Sequence, residues 1–137
     1  MIKFESNNTY IRSVYQNKDK VDMSLDKKIS EMLNSITTKT KQDVCDSKPY
    51  GNVIVAIRNN SSDLYCKSYS ISVEPNSTDN TRHFLTLNIL DPTMQYQLSR
   101  TLSAGNKDQI IDFLENGEAE KVIKENLIEM SEKLKRR

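Results

Sequence analysis

His83, Cys45 and Cys66 carry the side chains best suited to nucleophilic, redox or metal chemistry, and His83 is the only histidine in the chain. Any Ser–His–Asp or Cys–His system would have to use it. A catalytic base also needs a partner that positions it, and no nucleophile-elbow motif is present. Beside Arg82, at the head of an apolar run, His83 reads as an exposed strand-end residue. A structural zinc site takes four nitrogen or sulfur ligands, usually in close pairs. One histidine and two separated cysteines do not supply them, so neither metal nor cofactor is expected. Gly105-Asn106-Lys107-Asp108 holds a single glycine, whereas a phosphate loop needs a glycine-rich span followed by Lys-Ser/Thr. A turn between helices, with Asn106 as cap, accounts for these residues. The acidic residues are scattered, and no spacing marks a pair as catalytic. The chain is therefore expected to be non-enzymatic; the enzyme alternative requires a composite pocket near His83 or Cys66.

A second group of residues could bind rather than react. Tyr65, Lys67 and Tyr69 share one side of an alternating run, and the chain ends in the basic tail Lys133-Leu134-Lys135-Arg136-Arg137. RNA-binding sheets stack bases on strand aromatics, and basic tails contact phosphate. The candidate binding residues are thus Tyr65, Lys67, Tyr69, Lys133, Arg136 and Arg137. Two facts weigh against nucleic acid. The formal net charge is +1, so no global field recruits a polyanion. Aromatics also favour half-buried strands, and basic residues at a helix C-terminus complement the dipole.

These residues must be positioned by a fold, and the stretch from Asn52 to Leu90 is its centre. Asn52–Arg58 is apolar and β-branched on both faces, the pattern of a strand inside a sheet or covered on both sides. Leu64–Val73 alternates with period two, and Glu74-Pro75-Asn76-Ser77 breaks it. His83–Leu90 puts Leu85, Leu87 and Ile89 on one face and Phe84, Thr86, Asn88 and Leu90 on the other. The short polar links imply antiparallel pairing. Ile2–Glu5 reads as a short strand adding to the sheet edge; in Tyr10–Tyr15, Ile11, Val14 and Tyr15 fit a helical face and Tyr10, Arg12 and Val14 a strand, which the Thr, Tyr, Ile and Val content favours. Ser24 caps a helix from Leu25 to about Thr38, with Leu25, Ile29, Met32, Leu33 and Ile36 as its stripe. The run Thr37-Thr38-Lys39-Thr40 should fray it.

After the sheet, Asp91-Pro92 reads as a helix start, with Met94, Leu98 and Leu102 on one side and Gly105 as the stop. Asn106 and Gln109 open a short helix ending at Gly117. A last helix runs from Glu118 to near Arg136 and buries Val122, Ile123, Leu127, Met130 and Leu134. The expected class is α+β, one domain spanning residues 1–137. A small antiparallel sheet, three central strands plus one or two N-terminal ones, packs against one N-terminal and three C-terminal helices. The opposite sheet face, with its serines, Thr86 and Asn88, is expected to be wet or covered by a partner.

Composition bounds the setting. The 137 residues, 36% hydrophobic, suffice for one core. No apolar run approaches the roughly 20 residues that span a bilayer. The chain opens on Met1 without the apolar region of a signal peptide, so a nearly complete chain without a leader is expected. Cys45 and Cys66 do not form a disulfide framework and read as free thiols in a reducing cytoplasm. The Asn-X-Ser/Thr triplets at Asn7, Asn60 and Asn76 then carry no meaning as glycosylation sites. The expected function is a protein–protein interaction or adaptor module, with a homodimer through a sheet edge or the last helix as one form. Binding of single-stranded nucleic acid through the strand tyrosines and basic tail is the alternative.

Overall fold

The structure, a computed structural model, describes residues 18–45, 52–60, 64–79 and 81–137, with side chains from residue 25 onward apart from that of Cys45. The order is α1 (Lys18–Cys45), β1 (Val53–Arg58), β2 (Ser68–Pro75), β3 (His83–Leu90), β4 (Gln97–Gly105), α2 (Lys107–Glu115) and α3 (Ala119–Lys135). The strands form one antiparallel sheet in the order β1-β2-β3-β4. The expected α+β class and the segregation of strands from helices both hold.

Period two decides which sheet face the helices cover. Tyr69, Ile71 and Val73 of β2 align across the strands with Leu85, Leu87 and Ile89 of β3. All are buried, in one cluster with Ile29, Met32 and Ile36 of α1, Ile110 and Leu114 of α2, and Ile123, Leu127 and Met130 of α3. Each large apolar side chain buried in this way contributes about 1.5–3 kcal/mol, so this face outcompetes the other for the helices. The opposite face repeats short polar residues across the strands, in rows such as Ser72–Thr86–Thr101 and Ser70–Asn88–Ser99. Ser99 Oγ donates to Asn88 Oδ1 there at 2.5 Å.

The segment expected to be a third C-terminal helix is β4. Asp91 caps no helix; its carboxylate instead closes a turn, accepting the backbone amides of Thr93, Gln95 and Tyr96 and the Thr93 hydroxyl. Those hydrogen bonds, the Thr93 hydroxyl foremost, hold the Asp91 carboxyl below the usual carboxylate range. Met94 then takes a φ of 64°, which right-handed helix cannot continue. The chain reverses, and Asp91 N donates to Tyr96 O at 2.9 Å. The fourth strand of the sheet thus comes from the C-terminal half. The N-terminal strands expected at residues 2–5 and 10–15 lie outside the described residues.

The first helix is longer than its caps suggest. Ser24 lies inside α1, and the threonine run does not end it. Thr38 and Thr40 return their hydroxyls to the carbonyls of Asn34 and Ile36, at 2.8 and 2.7 Å, and Thr40 is buried. Packing of α1 on β1 and β2 thereby overrides weak local propensity. The later helices match expectation closely. Asn106 and Gln109 form a complete capping box for α2. A side chain on Gly105, at φ 157°, would run into the Gln109 side chain that closes this box.

Candidate functional site

The feature least expected from the sequence is the position of β1. Its residues have the composition of a central strand, yet among the described residues β1 pairs only with β2 and forms the sheet edge. Ile54, beside Ser72 on the face the helices leave open, is 56% exposed. Val55 and Ile57 stay half-buried against the core.

Hydrogen bonds fix which backbone groups this edge presents. Asn59 N donates to Lys67 O at 3.0 Å, setting the phase of the β1–β2 ladder. In antiparallel pairing, alternate residues turn both backbone groups to the same neighbour. Val53, Val55 and Ile57 therefore bond to Val73, Ile71 and Tyr69, and the amides and carbonyls of Ile54, Ala56 and Arg58 point outward. The β2–β3 ladder agrees: Asn76 N donates to Arg82 O at 2.8 Å, which turns the even-numbered residues of β2 to β3 and leaves the odd ones for β1. Beside the head of β1 lies a cleft of about 300 Å³, lined by Lys39, Gln42 and Asp43 of α1 with Asn52, Val53 and Ile54.

A second cleft, of about 460 Å³, lies at the end of the sheet below the β3–β4 turn. Tyr65, Asp91, Thr93, Gln95, Tyr96, Leu134 and Arg137 line it. The Arg137 guanidinium stacks 4.1 Å above the Tyr96 ring. Tyr65 N donates to Ser131 Oγ at 2.6 Å, which ties this segment to α3.

The residues singled out from the sequence separate accordingly. Tyr65 and Arg137 meet in the second cleft. Lys67 is half-buried, with its amide on Leu90 O at 2.7 Å. Lys133 on the last turn of α3 and Arg136 at its C-cap are exposed and do not line the cleft. Tyr69 is 2% exposed and faces the helices, so it shares no surface with Tyr65. Strand β2 begins at Ser68, and the period-two reading that grouped Tyr65 with Tyr69 starts too early. Burial, with Cys66 nearby, pushes the Tyr69 hydroxyl up to about 12. Tyr96 has no binding signature in the sequence, because its segment has helical spacing.

His83 corrects the expectation of an exposed residue. It is 3% exposed, because it shares the inward face of β3 with Leu85, Leu87 and Ile89. Neither ring nitrogen has a hydrogen-bond partner among the described residues. Burial, and then the Lys107 charge, hold it below the ordinary histidine value. Neither cleft described above includes His83 in its lining. Cys66 is a buried free thiol, pushed up to about 11 by burial, and is therefore a weak nucleophile at neutral pH.

Among the described residues, no group of three or more His, Cys, Asp or Glu could hold a metal ion, and no helix is long and apolar enough to cross a membrane. No family model matches the chain, and no curated protein or solved structure matches it.

Proposed function

We propose that this chain is a protein-binding module of a reducing cytoplasm, and that it accepts an extended segment of another protein chain along β1. The observation that carries this reading is a central-strand sequence standing at a sheet edge. An edge row of amides and carbonyls is a template for a further strand, and main-chain hydrogen bonds give such pairing its affinity. Ile54 and the half-buried Val55 and Ile57 would lose apolar exposure under an added strand. Cys66, a buried free thiol, fits the compartment.

The test uses Ala56→Pro. The Ala56 amide faces the edge, so proline removes a donor the sheet itself does not use. The tagged wild type should retain a stoichiometric protein partner at high salt, and Ala56→Pro should lose it while keeping its thermal midpoint. Equal retention by both proteins would refute the edge as the binding site.

A second reading is binding of single-stranded nucleic acid at the cleft holding Tyr65, Tyr96 and Arg137, where the stacked guanidinium and two aromatic rings come together. It predicts oligonucleotide binding that weakens as salt rises and is lost in Tyr96→Ala. Absence of binding at low salt removes it.

A further inference from the structure

We infer that the strand received by β1 is β1 of a second copy of this chain, paired antiparallel about a two-fold axis through Ala56. This rests on the strand-acceptor reading of β1 and names its partner. The backbone groups that point outward belong to Ile54, Ala56 and Arg58. Pairing centred on Ala56 sets Ile54 against Arg58 of the second copy, Ala56 against Ala56, and Arg58 against Ile54. Every outward amide and carbonyl of the strand then finds a partner. Sliding the pairing by two residues either way leaves outward groups unpaired at both ends.

The side chains are self-complementary in this register. A two-fold interface brings a surface against itself, so each residue must tolerate its symmetry mate's neighbourhood. At the axis stands alanine, small enough for close approach. Arg58 meets the exposed Ile54 of the other copy, and the two arginines stay at opposite ends of the paired strands. Like charges directly opposite would be destabilising. On the helical side, Val55 falls opposite Ile57 of the second copy. Both are half-buried apolar residues already in contact with the core. In this pair type the side chains approach most closely, so the two cores would gain a shared β-branched seam. The cleft beside Asn52, Val53 and Ile54 leaves concave space at the strand head, where the second copy's β1 ends. The two four-stranded sheets would become one continuous sheet.

The register makes a cross-linking prediction. At a hydrogen-bonded antiparallel pair, facing Cα atoms lie ~5.5 Å apart, inside the roughly 4.4–6.8 Å that a disulfide spans. In a Cys45→Ser background, Ala56→Cys should form a disulfide-linked dimer on mild oxidation. Ile54→Cys should not, because the two Ile54 positions stand about 13 Å apart along the strands. Sedimentation equilibrium at concentrations up to about 1 mM should show the wild-type mass double with rising concentration, with Ala56→Pro remaining at monomer mass. A wild type that stays monomeric throughout, or cross-linking at Ile54 rather than Ala56, overturns the self-pairing. If that monomer still retains another protein, and loses it in Ala56→Pro, the self-pairing fails and the acceptor reading stands. If Ala56→Pro changes no interaction, both fail.

Discussion

The two edges of the sheet are built differently. β4 carries the protections that keep an edge from recruiting another strand. Its register against β3 shifts between Leu85 and Thr86, leaving Leu102 as an extra residue in a bulge. The Asp91–Tyr96 bond sets the phase of this ladder, so the outward groups belong to Gln97, Ser99 and Thr101, and the bulge interrupts the row after them. Arg100 points to the helical side, where it bonds Asn126 at 2.8 Å and Glu129 at 2.7 Å on α3. An inward charge at an edge is costly to bury under a further strand. β1 is Val-Ile-Val-Ala-Ile-Arg, in register with β2 throughout, with its one charge at the far end. Among the described residues, then, β4 is guarded against a further strand and β1 is open to one.

The largest effect expected comes from moving proline by one residue along β1. Val55→Pro removes an amide that bonds Ile71 and leaves a buried carbonyl unpaired, a loss of about 1–3 kcal/mol from that group alone. Ala56→Pro should leave stability within about 0.5 kcal/mol of wild type. Urea unfolding midpoints compare them. Equal destabilisation by both would mean that the phase assigned to β1 is wrong.

Next in size is His83, at the β3 end that pairs with Gly105 of β4. Its ring nitrogens are buried without a hydrogen-bond partner among the described residues, so His83→Leu should raise stability by about 1–3 kcal/mol at neutral pH. The sign of the pH dependence follows from the lowered folded value. Above about pH 6.5 the ring is neutral in both states. As pH falls below that, the unfolded chain takes up the proton first, and stability drops until the folded value is reached. His83→Leu should remove this loss, and unfolding curves between neutral and mildly acidic pH check it.

The smallest effect on stability, and the sharpest on the comparison, is expected from Arg100→Leu. Its ion pair with Glu129 is partly exposed, at 29% and 57% for the two side chains, and such pairs contribute under about 1 kcal/mol. Removing the charge strips β4 of one protection, so the variant should form species larger than a dimer by light scattering, where the wild type stops at the dimer. No change in mass would show that the bulge alone suffices.

Several of these features were readable from residue types. The capping box at Asn106 and Gln109, the apolar stripe of α3 and the alternation of β3 all lie where local chemistry put them. β4 was not readable because Met94, Leu98 and Leu102 are spaced by four, a multiple of the strand period that is also just over one helical turn. A spacing of three would have separated the two. The polar alternation of Gln97, Ser99 and Thr101 was the overlooked strand signal. The extent of α1 depended on packing against β1, which propensity does not contain. That β1 is an edge follows only from strand order, so the outward groups of Ile54, Ala56 and Arg58 had no signature in the sequence. Of the second cleft's lining, residue type alone points to Tyr65 and Arg137; Tyr96 arrives through the β3–β4 turn.

Amide hydrogen exchange resolved by residue tests the asymmetry of the edges most directly. In dilute protein, the amides of Ile54, Ala56 and Arg58 should exchange as fast as those of Gln97, Ser99 and Thr101. At high concentration the β1 set should slow while the β4 set stays fast. Equal exchange at the two edges under all conditions, or protection that grows on β4 instead, would contradict the account.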